Sequence, residues 1–373
     1  MRPEAVEAML AFLTDHPGNP SGSHGAARVA KTALEEARET VAGILGARPD
    51  EIVFTGGGTE ADNLAIKGGA RVARRRGLDG VVTSAFEHKG VLAPAHRLEA
   101  EGFRVAEAAI TREGLVDLDD LAAKLDPGTA LVSVMAVNNE LGTIQPLQEI
   151  AALVRRQAPQ ALLHTDAVQA VPWVDLALLA SGWDLVAISG HKFGGPKGVG
   201  ALVVRGGIPL DPQIEGGGQE RGIRAGTVNV AGVVALATAL QITHDRRSEE
   251  TKRIAALRDR LRDGLTSAVS GAFVNGAPEH ATAGHLHIGF PGVESEALLV
   301  MLDQRGVYAA AGSSCSSGAT EISHVLAAMG MSKDDATASI RLSLGYASTD
   351  ADVDAALDAI PRAVQRLRTS MRA

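Results

Sequence analysis

The sequence has very little cysteine: Cys315 is the only one among its 373 residues. A single thiol excludes a disulfide within the chain and a metal site of the Cys-x-x-Cys type. The chain also lacks an uninterrupted apolar run long enough to span a membrane, and its beginning lacks a basic-then-apolar signal pattern. We therefore expect no metal site and no membrane span, and a reducing, cytoplasmic setting.

The chain has no excess of positive charge, since 36 Lys and Arg residues face 44 Asp and Glu residues. Affinity for nucleic acids comes mainly from neutralising phosphates with Lys and Arg, so this balance argues against direct binding of nucleic acid. The basic cluster from Arg71 to Arg76 is a local exception. Its simpler interpretation is the solvated end of a helix.

Short apolar segments alternate with helical patterns over the first two thirds of the chain, which predicts a mainly parallel, buried sheet layered with helices. The predicted strands are Ile52–Phe54, Val81–Thr83, Leu131–Met135, Leu162–His164, Leu185–Ile188 and the returning strand Ala201–Val204. The predicted helices and later strands are Ala26–Leu45 ended by Gly46, a long helix from about Val228 to Ala268, strands His285–Phe290 and Ile340–Leu344, and a last helix Asp350–Arg368. Because the chain is too long for one small core, we expect a large domain over 14–248 and a smaller one over 249–373, with 1–13 packing on the smaller one.

Lys192 lies in the string Ser189-Gly190-His191-Lys192, directly after the apolar strand Leu185–Ile188. A lysine at the end of a buried strand, flanked by glycines, can present its amine to a pocket. Such an amine is suited to forming a Schiff base with an aldehyde cofactor such as pyridoxal phosphate (PLP).

A glycine-rich turn, Gly56-Gly57-Gly58-Thr59-Glu60, stands between a predicted strand and a predicted helix. Glycines let the backbone approach an anion, and a helix N-terminus supplies unpaired N–H groups, so a phosphate could bind there. Such turns also serve simple chain reversal. The turn is not a P-loop, because no Gly-Lys-Ser/Thr follows it.

Asp166 and His88 each follow a predicted strand, where ligands of open α/β sheets bind. Asp166 could pair with a protonated pyridine nitrogen, or it could simply cap the next turn. His88 could stack on a planar ring and move protons, or it could cap a helix. Cys315 lies in a loop of small polar residues, which favours a reactive thiol over a packed apolar group.

Taken together, these motifs closely resemble the cysteine desulfurases of the NifS/IscS type, within the class V, fold-type I PLP enzymes. The resemblance runs over nearly the whole chain in the order of the family. The matching segments are Gly18–Ser21 (GNPS), Thr55–Asn63 (TGGGTEADN), Glu87–Lys89 (EHK), Val137–Gly142 (VNNELG), His164–Gln169 (HTDAVQ), Ser189–Lys192 (SGHK), Gly216–Arg221 (GGGQER), Arg224–Thr227 (RAGT) and Ser339–Gly345 (SIRLSLG).

The resemblance implies an α/β, fold-type I PLP-dependent transferase with a mainly parallel seven-stranded sheet between helices in the large domain and a smaller α+β C-terminal domain. It implies that Lys192 carries PLP, that Asp166 pairs with the pyridine nitrogen and that His88 stacks on the ring. The other implied ligands are Gln169 for the ring hydroxyl; Gly58, Thr59, Ser189 and His191 for the phosphate; Thr227 for the phosphate of the other subunit in a homodimer; and Asn139 and Arg341 for the substrate carboxylate.

The implied activity removes sulfur from L-cysteine, releases L-alanine and leaves a persulfide on Cys315, which passes to a sulfur-acceptor protein, with an iron–sulfur scaffold among the possible acceptors. The loop from Cys315 to His324 has the longer form found in members that hand sulfur directly to partner proteins. Ile322 replaces a common proline and Ser316 a common threonine. Family members normally also carry an earlier Asp-x-x-Ala-Thr-Thr segment, and its absence here indicates a shortened chain, a misplaced start or a genuine loss that weakens activity.

Two other functions stay open at this point. One is a selenocysteine lyase or another class V reaction such as an aminotransferase, in which Cys315 is incidental. The other is a PLP-bearing scaffold that binds partners with little turnover.

Overall fold

The structure is a computed structural model that describes residues 1–312 and 322–370. Within it the chain forms two compact units. The first unit comprises Met1–Ala108, Leu118–Val137 and Pro146–Arg247, and the second comprises Ala109–Asp117, Asn138–Gln145 and Ser248–Ala373.

These units differ from the expected domain division in two respects. Residues 1–13 belong to the first unit, where the backbone N–H of Arg2 donates to the carbonyl of Gly194 at 2.8 Å. Two short stretches from the middle of the sequence, 109–117 and 138–145, belong to the second unit. The sequence does not reveal that these two stretches belong to the second unit, because the composition of the chain does not change at their ends.

A seven-stranded sheet forms the centre of the first unit. Its strands are β1 (Ile52–Thr55), β2 (Gly80–Ser84), β3 (Arg104–Ala108), β4 (Thr129–Ser133), β5 (Leu162–Asp166), β6 (Leu185–Ser189) and β7 (Gly200–Val204), in the spatial order β1-β7-β6-β5-β4-β2-β3. The strands from β6 to β3 are parallel, and β7 runs antiparallel to both of its neighbours. The expected mainly parallel α/β fold is confirmed, and its inner strands are buried because helices cover both faces of such a sheet.

Helices separate the strands of this sheet. They are α1 (Pro3–Thr14), α2 (Gly25–Ile44), α3 (Gly58–Asn63), α4 (Gly69–Arg74), α5 (Lys89–Glu99), α6 (Leu118–Lys124), α7 (Leu147–Gln157) and α8 (Leu176–Leu179). The predicted helix ending near Gly46 is α2, which buries Ala27, Ala30, Leu34 and Val41 along one face. A π-helical turn joins α3 to α4, so that the chain is helical from Gly58 to Arg74.

Two of the described strands, β3 and β8, were not predicted from the sequence. β3 is a half-exposed edge strand in which charged Arg104 and Glu107 interrupt the apolar residues. β8 (Phe273–Val274) is only two residues long. Neither carries the continuous apolar run by which the other strands were predicted.

The second unit is built on a three-stranded antiparallel sheet. It comprises β8, β9 (His285–Gly289) and β10 (Ser339–Ser343), with β9 in the middle. The remaining helices are α9 (Val230–Ala268), α10 (Ser295–Asp303), α11 (His324–Ala328), α12 (Lys333–Thr337) and α13 (Asp350–Ser370). The boundary between the units falls within α9, after Arg247.

The basic cluster from Arg71 to Arg76 lies at the end of α4, as its simpler interpretation predicts. Arg71 forms an ion pair with Glu101, and Arg75 pairs with Asp211. Across residues 1–312 and 322–370, no helix is both long and apolar enough to cross a bilayer.

Candidate active site

The turn after β1 brings backbone close to the end of β6. A Cβ atom at Gly58 would lie 2.8 Å from Cγ2 of Val168 and 3.4 Å from Cβ of Ser189, so a side chain at this position would collide with its surroundings. Gly58 also begins α3, where backbone N–H groups have no partner within the helix. The turn therefore combines close approach of the backbone with N–H donors suited to an anion. Thr59, the next residue, is exposed.

Ser189 and His191 stand together on the other side of this turn. Ser189 ends β6, and its Oγ lies 2.9 Å from Nδ1 of His191. A Cβ at either Gly57 or Gly58 would lie 3.9 Å from the Ser189 hydroxyl, which places the hydroxyl beside the glycine turn. Burial, together with the charges of Lys192 and Lys197, lowers the pKa of His191. Four of the predicted phosphate ligands thus belong to one region of the first unit.

Asp166 is the last residue of β5 and is buried. Its Oδ1 accepts a hydrogen bond from the backbone N–H of Val168 at 2.8 Å. Burial raises the pKa of the Asp166 carboxyl, and the Val168 bond together with the electrostatic influence of His88 and Lys192 opposes that rise. Asp166 therefore does cap its own turn, and it also lies within electrostatic reach of the predicted histidine and lysine.

His88 is the N-cap of α5, and its Nδ1 accepts a hydrogen bond from the backbone N–H of Gly90 at 3.0 Å. A backbone amide can only donate, so in the neutral imidazole the proton must be on Nε2. The capping interpretation is thus correct locally, and it leaves the other ring nitrogen as a donor. Capping and a role in proton transfer are compatible here.

Lys192 ends a short 3₁₀ turn that follows β6, and its side chain is exposed. Gln169 is half-buried in the turn after β5, three residues beyond Asp166. Thr227 is exposed in the loop that precedes α9.

Three further titratable groups, which sequence reasoning did not assign, are buried near Asp166. Burial raises the pKa of Glu87 to about 8 even though its Oε1 accepts hydrogen bonds from the Ser84 hydroxyl and the Met135 N–H. Burial and the charges of Asp166 and Glu87 raise the pKa of Asp62 well above its usual range. The string Glu87-His88-Lys89 was the available signal, but nothing in it distinguishes a buried acid from an exposed one.

His164, the third of these groups, stands two residues before Asp166 on the same face of β5. Its Nδ1 lies 2.8 Å from the Ser133 hydroxyl, and its Nε2 lies 3.5 Å from Oδ1 of Asp62. Burial lowers the pKa of His164 to about 3, so the imidazole is neutral. Near Asp166, the first unit therefore buries the carboxyl groups of Asp62 and Glu87, whose raised pKa values favour the protonated form, and the neutral imidazole of His164.

In the second unit, Arg341 is half-buried on β10, and its Nη1 donates to the carbonyl of Asn139 at 3.0 Å. The two residues predicted to bind a substrate carboxylate are therefore in contact, although 202 positions separate them in the sequence. Cys315 lies outside the described residues, as does Ser316. Within residues 1–312 and 322–370, no group of three or more His, Asp or Glu side chains is placed to hold a metal ion.

The chain is similar to known proteins over nearly its full length. The model of the aminotransferase class-V family matches residues 1–356. The cysteine desulfurase IscS of Dictyoglomus turgidum is 42% identical over 369 residues, which are 99% of this chain and 93% of the relative.

Two solved structures extend the likeness to three dimensions. A NifS-like protein superposes with a TM-score of 0.92 at 36% identity, covering 98% of this chain and 96% of that one. A chain described as SspA in complex with cysteine superposes with a TM-score of 0.81 at 33% identity, covering 92% and 95%.

Proposed function

We infer that this chain, which belongs to the aminotransferase class-V family, is a PLP-dependent cysteine desulfurase of the IscS/NifS type. Its substrate is L-cysteine, from which it removes sulfur and releases L-alanine. The observation that carries the site assignment is that Lys192 follows β6 while Asp166 ends the neighbouring strand β5, and that Lys192 and His88 both act electrostatically on the buried Asp166 carboxylate.

The residues of the first unit fit PLP in chemistry and in space. A lysine amine suits the aldehyde, a buried carboxylate suits the protonated ring nitrogen, and the glycine turn beside Ser189 and His191 suits a phosphate. The close approach at Gly58 supports the last point, because a larger residue would fill the cradle. The residues proposed to hold the cofactor are Gly58, Thr59, His88, Asp166, Gln169, Ser189, His191 and Lys192.

When bound, PLP supplies an electron-withdrawing ring that stabilises negative charge at the substrate carbon and so weakens the Cβ–S bond. Asp166 keeps the ring nitrogen protonated through its charge. Lys192 moves the α-proton of the substrate through its Nζ. His88 assists as a donor through Nε2, since Gly90 occupies its Nδ1.

The second unit supplies the residues that bind the substrate carboxylate and the cysteine that takes up the substrate sulfur. Arg341, with Asn139, binds the substrate carboxylate, for which the planar guanidinium is well matched. The thiolate of Cys315 attacks the substrate sulfur, a new S–S bond forms, and the Cβ–S bond breaks. Cysteine plus one thiol thus gives alanine plus one persulfide, and the atoms and electrons balance without an outside oxidant.

The assembly and the sulfur acceptor are parts of the proposal that rest on the family resemblance. We expect a homodimer in which Thr227 reaches the phosphate bound to the other subunit. The persulfide passes to the thiol of an acceptor protein by exchange. Acceptors of this kind include iron–sulfur scaffold proteins of the cytoplasm.

Two variants test these roles. Cys315→Ser should keep the yellow bound cofactor yet lose persulfide formation and alanine release, because only the attacking thiol is gone. Lys192→Ala should lose the borohydride-reducible link to PLP, detected by mass spectrometry, whereas Lys197→Ala, an exposed lysine nearby, should keep it.

Full sulfur release by Cys315→Ser would eliminate the proposed nucleophile. Amino transfer that depends on a keto acid would instead indicate an aminotransferase. A strong preference for selenocysteine over cysteine would indicate a lyase for that substrate.

A further inference from the structure

Glu60, in the first turn of α3, folds its carboxylate back onto the glycine turn. Its Oε2 accepts a hydrogen bond from the backbone N–H of Gly56 at 2.8 Å. A Cβ at Gly56 would lie 2.7 Å from the same oxygen, so the carboxylate lies directly against the backbone of the turn. A negative charge is therefore held beside the turn that the proposed function assigns to the phosphate of PLP.

This carboxylate is unfavourable for phosphate binding unless its charge is compensated. A phosphate monoester carries a charge of about −1.5 to −2 near pH 7. Like charges repel each other more strongly where water is partly excluded. Glu60 also occupies the N–H of Gly56, a donor that an anion could otherwise use. A phosphate at this turn therefore requires a cation bound to Glu60.

Arg224 supplies that cation. Its Nε donates to Oε1 of Glu60 at 2.8 Å and its Nη2 donates to Oε2 at 3.2 Å, so the planar guanidinium binds both oxygens. Each side chain is only 23% exposed, so water screens the pair incompletely. The hydrogen bond to Glu60 raises the pKa of Arg224 in spite of its burial. A Cβ at Gly56 would lie 3.8 Å from Nη2 of Arg224, so the cation also lies close to the glycine turn.

The loop between β7 and α9 that presents Arg224 is held in place just before this residue. Glu220 in this loop is buried, and its carboxylate accepts two hydrogen bonds from Arg38. Glu220 and Arg221 have φ angles of 44° and 58°, in the left-handed region that residues other than glycine rarely adopt. Such a conformation persists only where the surrounding contacts hold it. The loop therefore presents Arg224 to the glycine turn from a fixed position.

We propose that Arg224 is a positioning residue that holds and neutralises the Glu60 carboxylate, so that the glycine turn can accept the phosphate of PLP. The proposal rests on the function proposed above and adds to the phosphate site an ion pair that is not itself a phosphate ligand. Arg224 acts through Glu60, because its guanidinium cancels a charge that would repel the phosphate. Its loss should therefore weaken the binding of the phosphate and leave the binding of the ring and the aldehyde unchanged.

A comparison of PLP with pyridoxal, which has the same ring and aldehyde but no phosphate, separates this role from a structural one. Each compound is titrated into the apoprotein, and the absorbance of the imine formed with Lys192 reports binding without turnover. In Arg224→Gln we expect the affinity for PLP to fall roughly ten- to hundredfold and the affinity for pyridoxal to change less than about twofold, because only the phosphate meets the uncompensated carboxylate.

The decisive variant combines Glu60→Gln with Arg224→Gln. A glutamine at position 60 can still accept from the N–H of Gly56 through its carbonyl oxygen, but it carries no charge. The double variant should therefore regain most of the affinity for PLP that Arg224→Gln loses. Glu60→Gln alone should bind PLP at least as tightly as the unaltered protein. Arg224→Lys should bind PLP with intermediate affinity, since it keeps the charge and loses the two-point contact.

The control is Arg71→Gln, which breaks the similarly half-buried pair of Arg71 with Glu101 and should leave both affinities unchanged. Equal falls in affinity for PLP and pyridoxal in Arg224→Gln would overturn the proposal, as would a double variant that binds PLP no better than Arg224→Gln. If Arg224→Gln does not fold, weaker binding of PLP by Glu60→Gln would still contradict the proposal.

The same titrations distinguish a failure of this inference from a failure of the proposed function. An unaltered apoprotein that binds neither compound would reject both. Normal binding of PLP by the unaltered protein, with no change in Arg224→Gln, would reject the inference alone.

Discussion

Two buried carboxylates of the first unit, Glu220 and Asp166, have contrasting partners. Both oxygens of Glu220 accept from the guanidinium of Arg38, at 2.7 and 2.8 Å, and one also accepts from the N–H of Phe54. The Asp166 side chain instead accepts a hydrogen bond from the backbone N–H of Val168. Burial and the charge of Asp166 raise the pKa of the nearby acids Asp62 and Glu87. The contrast teaches that burial by itself does not identify a catalytic carboxylate, whereas the nature of its partners does.

The largest expected effect comes from breaking the Arg38–Glu220 pair with Glu220→Gln. The buried guanidinium of Arg38 would keep only the exposed Glu35 as a charged partner. Removing one partner of a buried ion pair costs about 3–5 kcal/mol of folding free energy. Urea denaturation should detect the loss.

The control for that experiment is Arg104→Ala, which breaks the exposed pairs of Arg104 with Asp79 and Asp126. Exposed pairs contribute about 0–1 kcal/mol because water and salt screen them. Losses of similar size in the two variants would remove the basis of the comparison.

The next effect in size comes from Asp166→Asn, which keeps the shape of the side chain and removes its charge. Alanine release from cysteine should fall on the order of a hundredfold, since an electrostatic partner of the cofactor ring is lost. The free energy of unfolding of the apoprotein should not fall, because no buried cation depends on this carboxylate as Arg38 depends on Glu220. Destabilisation equal to that of Glu220→Gln would show that the two carboxylates play the same structural part.

The smallest effect is a change in pH dependence with Glu87→Gln. Burial raises the pKa of Glu87 from 4.5 to about 8, so the folded protein keeps a proton that the unfolded chain releases. This stabilisation is present in full below pH 4.5 and is lost as the pH rises through about 8, at no more than about 1.4 kcal/mol per pH unit.

The useful window for this test lies between pH 6.5 and 8. Below pH 6.5 the neutral His164, with its pKa lowered to about 3, changes stability in the opposite sense. Urea denaturation of the apoprotein at the two ends of the window should show a smaller loss of stability in Glu87→Gln than in the unaltered protein. Parallel losses would mean that Glu87 keeps its charge in the folded protein.

The sequence was most informative about the strands that carry candidate site residues at their carboxyl ends. The strand before Lys192 and the strand before Asp166 are short, apolar and buried, so both strands and the residues that follow them could be predicted from local pattern. Parallel strands then bring their carboxyl ends to one edge of the sheet, which is why residues of separate motifs meet there.

Contacts between residues far apart in the sequence could not be predicted from local patterns. Glu140 and Ser323 are 183 positions apart, and Arg38 and Glu220 are 182 apart. Each of these four residues belongs to a common type on the surface of proteins, and no local pattern marks them as buried partners.

By itself the sequence predicted the alternation of strands and helices, the family and the candidates for the reactive side chains, because hydrophobic period and motif spacing are local properties of a chain. Only the tertiary structure decided which carboxylates are buried together, which of them meets a cation, and that Glu140 accepts a hydrogen bond from the hydroxyl of Ser323. Those properties depend on the distance between residues far apart in sequence and on their exclusion from water, and both arise when the chain has folded.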